Sequence, residues 1–236
     1  MPTSIASNRL LVAMPAEVRM RLMSSMELVA LDREYILYES GRALRHVYFP
    51  VNAVVSLLYE LADGSSTEIA IIGNEGLVGI AVFMGGESTP SRAIVIKSGN
   101  AYRISASSMK QEFNRHEEML VLMLRYTQSL ISQMAQTAIC NRRHTLNQQL
   151  CRFMLLFLDR SQDNEISITQ DMIAQILGVR REGVSSAAYK LQKLGAITYH
   201  RGHIVVHKRA ILEQLSCECY QAVQSESARL LPLHEI

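Results

Sequence analysis

Along this chain, short apolar runs broken by turn residues give way to long stretches with helical spacing. Between residues 34 and 104 the runs HVYF, AVVSLLYEL, STEIAII and SRAIVIK are rich in β-branched and aromatic residues, and turn signals such as Asp63-Gly64 separate them. That pattern predicts an antiparallel barrel or sandwich. Ahead of it, Pro15 to Met26 carries apolar side chains at helical spacing and predicts a short helix packed on that domain. From about Ser107 to Ile139 the chain has no Gly or Pro and is rich in Met, Leu, Gln and Glu, which favour one long helix. Within it Leu120, Met123, Thr127, Leu130, Met134 and Thr137 alternate at spacings of 3 and 4, the stripe that two helices bury between them when they coil together. The stripe predicts a dimer seam; the alternative is that it packs on the chain's own β domain. A further helix is expected from about His144 to Arg160, where Leu146, Leu150, Phe153, Met154 and Phe157 recur, until SQDNE ends the pattern.

Composition sharpens this division. The 236 residues are 48% hydrophobic and 19% charged, which excludes wholesale disorder and leaves enough apolar material for one large or two medium cores. Eight of the 12 glycines fall between Gly41 and Gly99, and none lies from Asn100 to Leu177, so the first region turns often and the second hardly at all. The net charge of +2 hides an asymmetry: residues 141–210 hold 11 Lys/Arg against 5 Asp/Glu. A basic segment joined to an acidic remainder suggests a polyanion-binding part attached to a part with another task. The four cysteines, Cys140, Cys151, Cys217 and Cys219, all lie in the second half, which argues against a disulfide scaffold. No apolar run is long enough to cross a bilayer and the N-terminus lacks a signal-peptide pattern, so a cytoplasmic protein without a membrane partner is expected.

The strongest local signal is ITQDMIAQILGVRREGVSSAAYKLQKLGAI, residues 168–197. Thr169 is placed to cap a helix, with Asp171 near the positive end of its dipole. Two helices meeting at a tight angle need a small residue where they cross, a glycine able to take positive φ at the turn, and an apolar plug beneath the second helix. Ala174, Gly178 and Val184 meet these needs. The second helix is expected to run from about Arg181 to just before Gly195, with Arg181, Glu182, Ser185 and Ser186 in its exposed first turns. In a helix-turn-helix those turns enter the DNA major groove. Arg181 has the chemistry to donate to guanine O6 and N7 and Glu182 to accept from cytosine N4, so these four positions are the expected base readers. Thr169, Gln170, Arg180, Lys190 and Lys193 are expected at phosphates. AITYHRGHIVVHKRA then reads as a hairpin turning at Arg201-Gly202, a wing whose Arg201 and His203 would reach neighbouring backbone. Strand period places His200, His203 and His207 on differing faces, so no metal site is expected there. Cys217 and Cys219 are read as packing residues, with a redox or metal pair as the alternative.

This arrangement, with LGVRREGVSSAAYKLQKLGAI as its most specific part, resembles the Crp/Fnr family of bacterial transcription regulators. The resemblance spans nearly the whole chain. It implies an α+β protein with an antiparallel β-roll of the cyclic-nucleotide-binding kind over residues 1–106, a long dimerisation helix over 107–140, and a winged helix-turn-helix over 141–236. Arg181-Glu182-Gly183-Val184 matches the family's recognition-helix motif, although Ser186 stands where many members carry Arg. In nucleotide-binding members a Gly-Glu pair holds the ribose and an Arg-Ser/Thr pair the phosphate. Here Ile80 follows Gly79, and the later pair is reversed as Ser91-Arg92, so cyclic AMP or GMP is not expected. Gly73, Glu75, Gly76, Gly79, Ser91 and Arg92 remain as a rearranged pocket for another small ligand, the alternative being that these glycines only make turns. The absence of cysteine before Cys140 speaks against the family's iron-sulfur cofactor, and Pro2 with His46 is a poor match to its haem ligation. No cofactor is expected.

These readings converge on a homodimeric, sequence-specific regulator of double-stranded DNA acting on a pseudo-palindrome, with RNA polymerase as a further partner if it activates. The alternatives are a nonspecific architectural DNA binder and a ligand-binding β-barrel. Residues 34 to 104 offer only His46 with scattered Glu and Asp, and neither a phosphate loop nor a nucleophile motif, so no enzyme is expected.

Overall fold

A computed structural model of the chain describes residues 7–115, 117–161 and 163–231. Two short helices, α1 (Arg9–Val12) and α2 (Ala16–Ser25), precede seven strands: β1 (Glu27–Leu31), β2 (Ile36–Tyr38), β3 (His46–Pro50), β4 (Val54–Glu60), β5 (Ser66–Ile72), β6 (Arg92–Lys97) and β7 (Gly99–Ser105). They form two antiparallel sheets, ordered β1-β7-β3 and β2-β6-β4-β5. The β4–β5 hairpin turns where Asp63-Gly64 signals it: Gly64 has φ +80°, and Asp63 accepts from the Ser65 amide at 2.9 Å. Strand β1, at residues 27 to 31, lies ahead of the strand-forming region expected from composition.

The second sheet is buried on both faces, which explains why its strands read as nearly continuous apolar runs. Val55, Leu57, Ala70, Ile72, Ala93 and Val95 face the interior of the roll. Val54, Leu58, Ile71, Ile94 and Ile96 face outward, into a core shared with α5 (Leu146–Ser161) and the C-terminal domain. An antiparallel sheet usually leaves one face to water; here α5 covers it. This helix is buried on nearly every side, from Leu150 through Leu158. After β8 (Glu165–Ser167) come α6 (Gln170–Leu177), α7 (Arg181–Lys193), the hairpin β9 (Ile197–His200) and β10 (His203–Val206), then α8 (Arg209–Leu215) and α9 (Glu218–Leu230). No described helix is long and apolar enough to cross a membrane.

The helix expected from Ser107 to Ile139 is divided. Ser105 caps α3 (Ala106–Phe113) by accepting from the Ser108 amide, and Asn114 ends it before α4 (Glu117–Arg143) begins. One long-range and one local ion pair sit at the break: buried Glu112 meets Arg21 at 2.9 Å and Arg115, three residues on, at 3.2 Å. The stripe expected at a dimer seam also lies elsewhere. Met123, Thr127, Leu130 and Thr137 are buried within the chain, with Met123 in the core beneath α1 and α2 and Leu130 and Met134 against the roll interior. Leu120 alone of the six is exposed. The physical reason is that α4 carries two apolar faces, and the roll claims this one. The outward face is displaced by one residue, to Val121, Leu124, Gln128, Ile131, Ala135 and Ala138, again at alternating spacings of 3 and 4 and all exposed.

On the covered sheet face, Ser56 donates to the Glu68 carboxylate at 2.6 Å. Burial is the dominant influence on Glu68 and raises its pKa from 4.5 to about 7, against the opposing pull of Ser56, Arg152 and Arg160. A carboxyl held above its unfolded value favours the folded state below that unfolded value and loses this contribution as pH rises through the folded one. Stability is therefore expected to fall between about pH 4.5 and 7 by up to ~3 kcal/mol from this group. Thermal melts of Glu68→Gln across that range should be flatter than those of the parent, and an equally steep decline in both would contradict the assignment.

Candidate nucleic-acid interface

The geometry of the C-terminal domain begins with its turn. Thr169 accepts from the Met172 amide at 3.2 Å and caps α6, Ala174 and Val184 are buried, and Gly178 takes φ +64° between α6 and α7. Only a residue tolerant of the left-handed region turns the chain there at little cost. Gly183 permits a second close approach, since a Cβ there would sit 2.8 Å from Leu146 Cδ2. Helix α7 buries Val184, Ala187, Ala188 and Leu191. Its other side leaves Arg181, Glu182, Ser186, Tyr189, Lys190 and Lys193 exposed.

These exposed residues form one cationic face with little internal pairing. Arg181 stands 3.6 Å from Asp171, with both side chains well exposed, a separation worth little in water and easily given up to another anion. Arg180 is exposed at the α7 N-cap. Tyr189, which the sequence pattern did not single out, lies under the Lys193 ammonium at 4.9 Å; its exposed aromatic character at helical spacing from Ser185 was the available signal. Ser185 departs from the expected base-reading role because it is half-buried and donates its hydroxyl to Gln170 Oε1. The two side chains thereby tie α7 to α6, which also commits the oxygen of Gln170.

The wing is a three-stranded sheet ordered β8-β10-β9. Arg201 and Gly202 both have positive φ, +47° and +82°, the requirement of a two-residue primed turn. Arg201 is exposed at the tip, while the His203 ring is 3.1 Å from the Ser167 hydroxyl. His207 meets Thr198 at 2.7 Å. His200 and His203 are register partners across the hairpin and so share one of its faces, not the differing faces that strand period suggested; the one metal-ligand group found among the described residues does not include them.

The six residues expected to make a small-molecule pocket are not brought together. Glu75 lies 2.7 Å from Arg160 of α5, both largely buried, and also accepts from the Gly73 amide at 3.1 Å. Gly73 packs against the Arg160 side chain and Gly76 beneath the Tyr126 ring, each too close for a Cβ. Gly79 makes a turn at φ +113°. Arg92 is engaged with Glu60 at 3.3 Å. Ser91 alone of the six lines a cavity of about 460 Å³, whose walls include Tyr38, Leu57, Ile69, Ile80, Met84 and, from α4, Met134. The cavity is mostly apolar, so neither a ribose nor a phosphate finds a charged partner among the residues expected to supply one.

One group of metal-ligating side chains does converge, at the corner between α4 and α5. Cys140, His144, Cys217 and Cys219 place their ligand atoms within 4.8 Å of one another. Cys217 and Cys219, expected as packing residues, are buried, but in a cluster with Cys140 and beside His144 and not in the larger apolar cores. Pro2, weighed as a haem ligand, lies outside the described residues.

Comparison with known proteins gives two matched regions. Residues 28–116 match a cyclic nucleotide-binding domain, and residues 148–215 match a Crp-like helix-turn-helix domain. No curated protein matches the sequence. Among solved structures, FixK2 from Bradyrhizobium japonicum is 18% identical with a TM-score of 0.70, over 81% of this chain and 98% of that one. A putative transcriptional regulator of the Crp/Fnr family from Eubacterium rectale is 14% identical with a TM-score of 0.69, over 89% and 98%. The c-di-GMP responsive global regulator CLP of Xanthomonas campestris is 14% identical with a TM-score of 0.66, over 82% and 99%. At these identities the likeness is one of fold.

The Arg160–Glu75 pair makes a measurable claim. Removing one partner strands a buried charge, at a typical cost of about 3 to 5 kcal/mol. Urea denaturation of Glu75→Ala should show a loss of that order, and a change below about 1 kcal/mol would mean that the pair is solvated.

Proposed function

Because the chain belongs to the Crp/Fnr regulators, with a cyclic nucleotide-binding domain ahead of a Crp-like DNA-binding helix-turn-helix, we propose that it is a homodimeric, sequence-specific regulator that reads a pseudo-palindromic DNA site. The observation that carries this reading is the division of α7 into a buried side and an exposed cationic one. Arg181 and Glu182 stand where the first turns of a recognition helix meet base edges. Arg180, Lys190 and Lys193 supply charge for phosphates, with Arg201 extending that reach from the wing. The Ser186 hydroxyl, about one turn further on, is a weaker reader that donates to or accepts from several bases. Thr169 is exposed at the α6 N-terminus, where a helix end favours a phosphate oxygen.

The proposed seam is the outward stripe of α4, Val121, Leu124, Gln128, Ile131, Ala135 and Ala138. Val121, Leu124 and Ile131 are 46%, 54% and 55% exposed, an unusual display of apolar surface for one helix face unless a second helix covers it. Two copies joined there would present their α7 helices to successive major grooves about 34 Å apart. Control by a ligand would run through the apolar cavity, because Met134 belongs to both its wall and α4. An apolar effector suits that lining better than a cyclic nucleotide. It would alter DNA affinity only by binding the two arrangements of α4 unequally.

Two measurements test the reading. In binding-site selection from random DNA followed by titration, Arg181→Ala should relax preference at one base position per half-site by roughly 1 to 3 kcal/mol. Lys190→Ala should weaken all sequences alike and reduce the salt slope by about 1. Equal loss on every sequence for both variants would favour an architectural binder instead. For the seam, Leu124→Glu combined with Ile131→Glu is expected to convert a dimer into a monomer at micromolar concentration in sedimentation velocity, with loss of binding to the full palindrome. A dimer that survives both changes would remove this face from consideration.

A further inference from the structure

We infer that Cys140, His144, Cys217 and Cys219 form a mononuclear site for a soft divalent cation, best matched by Zn²⁺. Cys140 Sγ and Cys217 Sγ are 3.5 Å apart, and Cys219 Sγ is 3.6 Å from His144 Nδ1. In a tetrahedral Zn²⁺ site the metal–sulfur and metal–nitrogen lengths of about 2.3 and 2.0 to 2.1 Å set edges of about 3.8 Å between sulfurs and about 3.6 Å between sulfur and nitrogen. The observed edges fall near those values, and the upper limit of 4.8 Å on every ligand pair is too short to enclose a multinuclear cluster. Cys140 and His144 are four apart, where α4 ends and α5 approaches. Cys217 and Cys219 bracket the first residue of α9.

Three independent features fit a bound cation. His144 turns Nδ1 toward the thiols, while its Nε2 is 3.2 Å from the Glu218 carboxylate. Metal-ligating histidines are typically oriented in this way by a carboxylate on the far nitrogen. Three thiolates and a neutral imidazole around a divalent cation leave a net charge of −1, and the positive end of α9 begins at Cys217 to oppose it. Arg152 supplies a full countercharge: it is 6% exposed, its Nε has no partner, and its charge acts on Cys140 and Cys219. Cys140, Cys217 and Cys219 also form a small buried cluster of their own, separate from the large apolar cores. Thiols gathered away from the hydrocarbon core contribute little as packing and much as ligands. A cation here would fasten the α4–α5 corner to the start of α9, and so fix the joint by which the DNA-binding domain hangs from the long helix.

The full-length protein, purified under reducing conditions, should carry one Zn²⁺ per chain by mass spectrometry of its metal content. After chelation, Co²⁺ added to the unsubstituted protein should give the visible bands of a tetrahedral ion and thiolate-to-metal charge transfer. Chelation itself should lower Tm. Cys219→Ser is expected to abolish stoichiometric binding, whereas Cys151→Ala, a buried cysteine outside the cluster, should retain it. Glu218→Gln, an exposed change that leaves all four ligands in place, should weaken the affinity by about 10- to 100-fold. A protein without metal whose Co²⁺ spectrum lacks thiolate bands would overturn the proposal. So would a Cys140–Cys217 disulfide that forms in reducing buffer in the presence of excess Zn²⁺.

Discussion

Burial of Arg160 against the roll holds the two halves of the molecule in one piece. Its Nε donates to the Ile71 carbonyl at 2.9 Å and lies 2.7 Å from the Glu75 carboxylate, and Nη1 donates to Leu156 within its own helix. A guanidinium removed from water is expensive unless each donor finds an acceptor. Here a strand-end carbonyl, a neighbouring carboxylate and a helix carbonyl answer it together. Gly73 is part of the same arrangement, because any side chain there would occupy the space of the arginine stem. The remainder of α5 follows, laid across a sheet that would otherwise expose Val54, Leu58, Ile71, Ile94 and Ile96.

With α5 fixed, the position of the reading helix is largely determined. Helix α7 packs on α5 through Val184, Ala187 and Leu191, with Gly183 allowing its first turn to approach Leu146. Helix α6 rests on the tip of β5, where the Thr67 hydroxyl meets the Ile176 carbonyl at 3.4 Å. Arg33 and Lys97 add polar contacts from the roll to Ser167 and Asp163. The cationic side of α7 is what remains after these attachments are made, which is why it faces solvent with few partners. The roll and α7 are thus joined by packed elements, α4 and α5, through which the proposed ligand control would run.

How much of this was legible in the sequence depended on the range of the interaction. The capped helix at Thr169, the positive-φ turn at Gly178, the plug at Val184 and the wing turn at Arg201-Gly202 are all written in residues within about one turn of each other, and local sterics fix them. The stripe expected at a seam proved to be buried within the chain because α4 carries two stripes with the same spacing. Periodicity says that a face is apolar and is silent on which partner covers it. The break between α3 and α4 was hidden because its cause, Arg21 meeting Glu112, lies 91 residues away in the chain. Glu75 looked free for a ligand until Arg160 was placed beside it. The thiol cluster was legible only in part for the same reason: Cys217 and Cys219 offered a possible pair, but Cys140 lies 77 residues from Cys217, so the sequence does not gather the four side chains.

The outward stripe of α4 is not uniform along its length. It carries Val121, Leu124 and Ile131 toward the amino end and only Ala135 and Ala138 toward the end that leads into α5. Branched side chains keep helix axes well apart, whereas alanines let them come nearly into backbone contact. In the proposed dimer the two rods would therefore form a wedge, broad beside the rolls and narrow beside the DNA-binding domains. Its narrow end would then act as a fulcrum, so that a small spreading at the broad end would become a rotation of the two reading heads about a shared pivot.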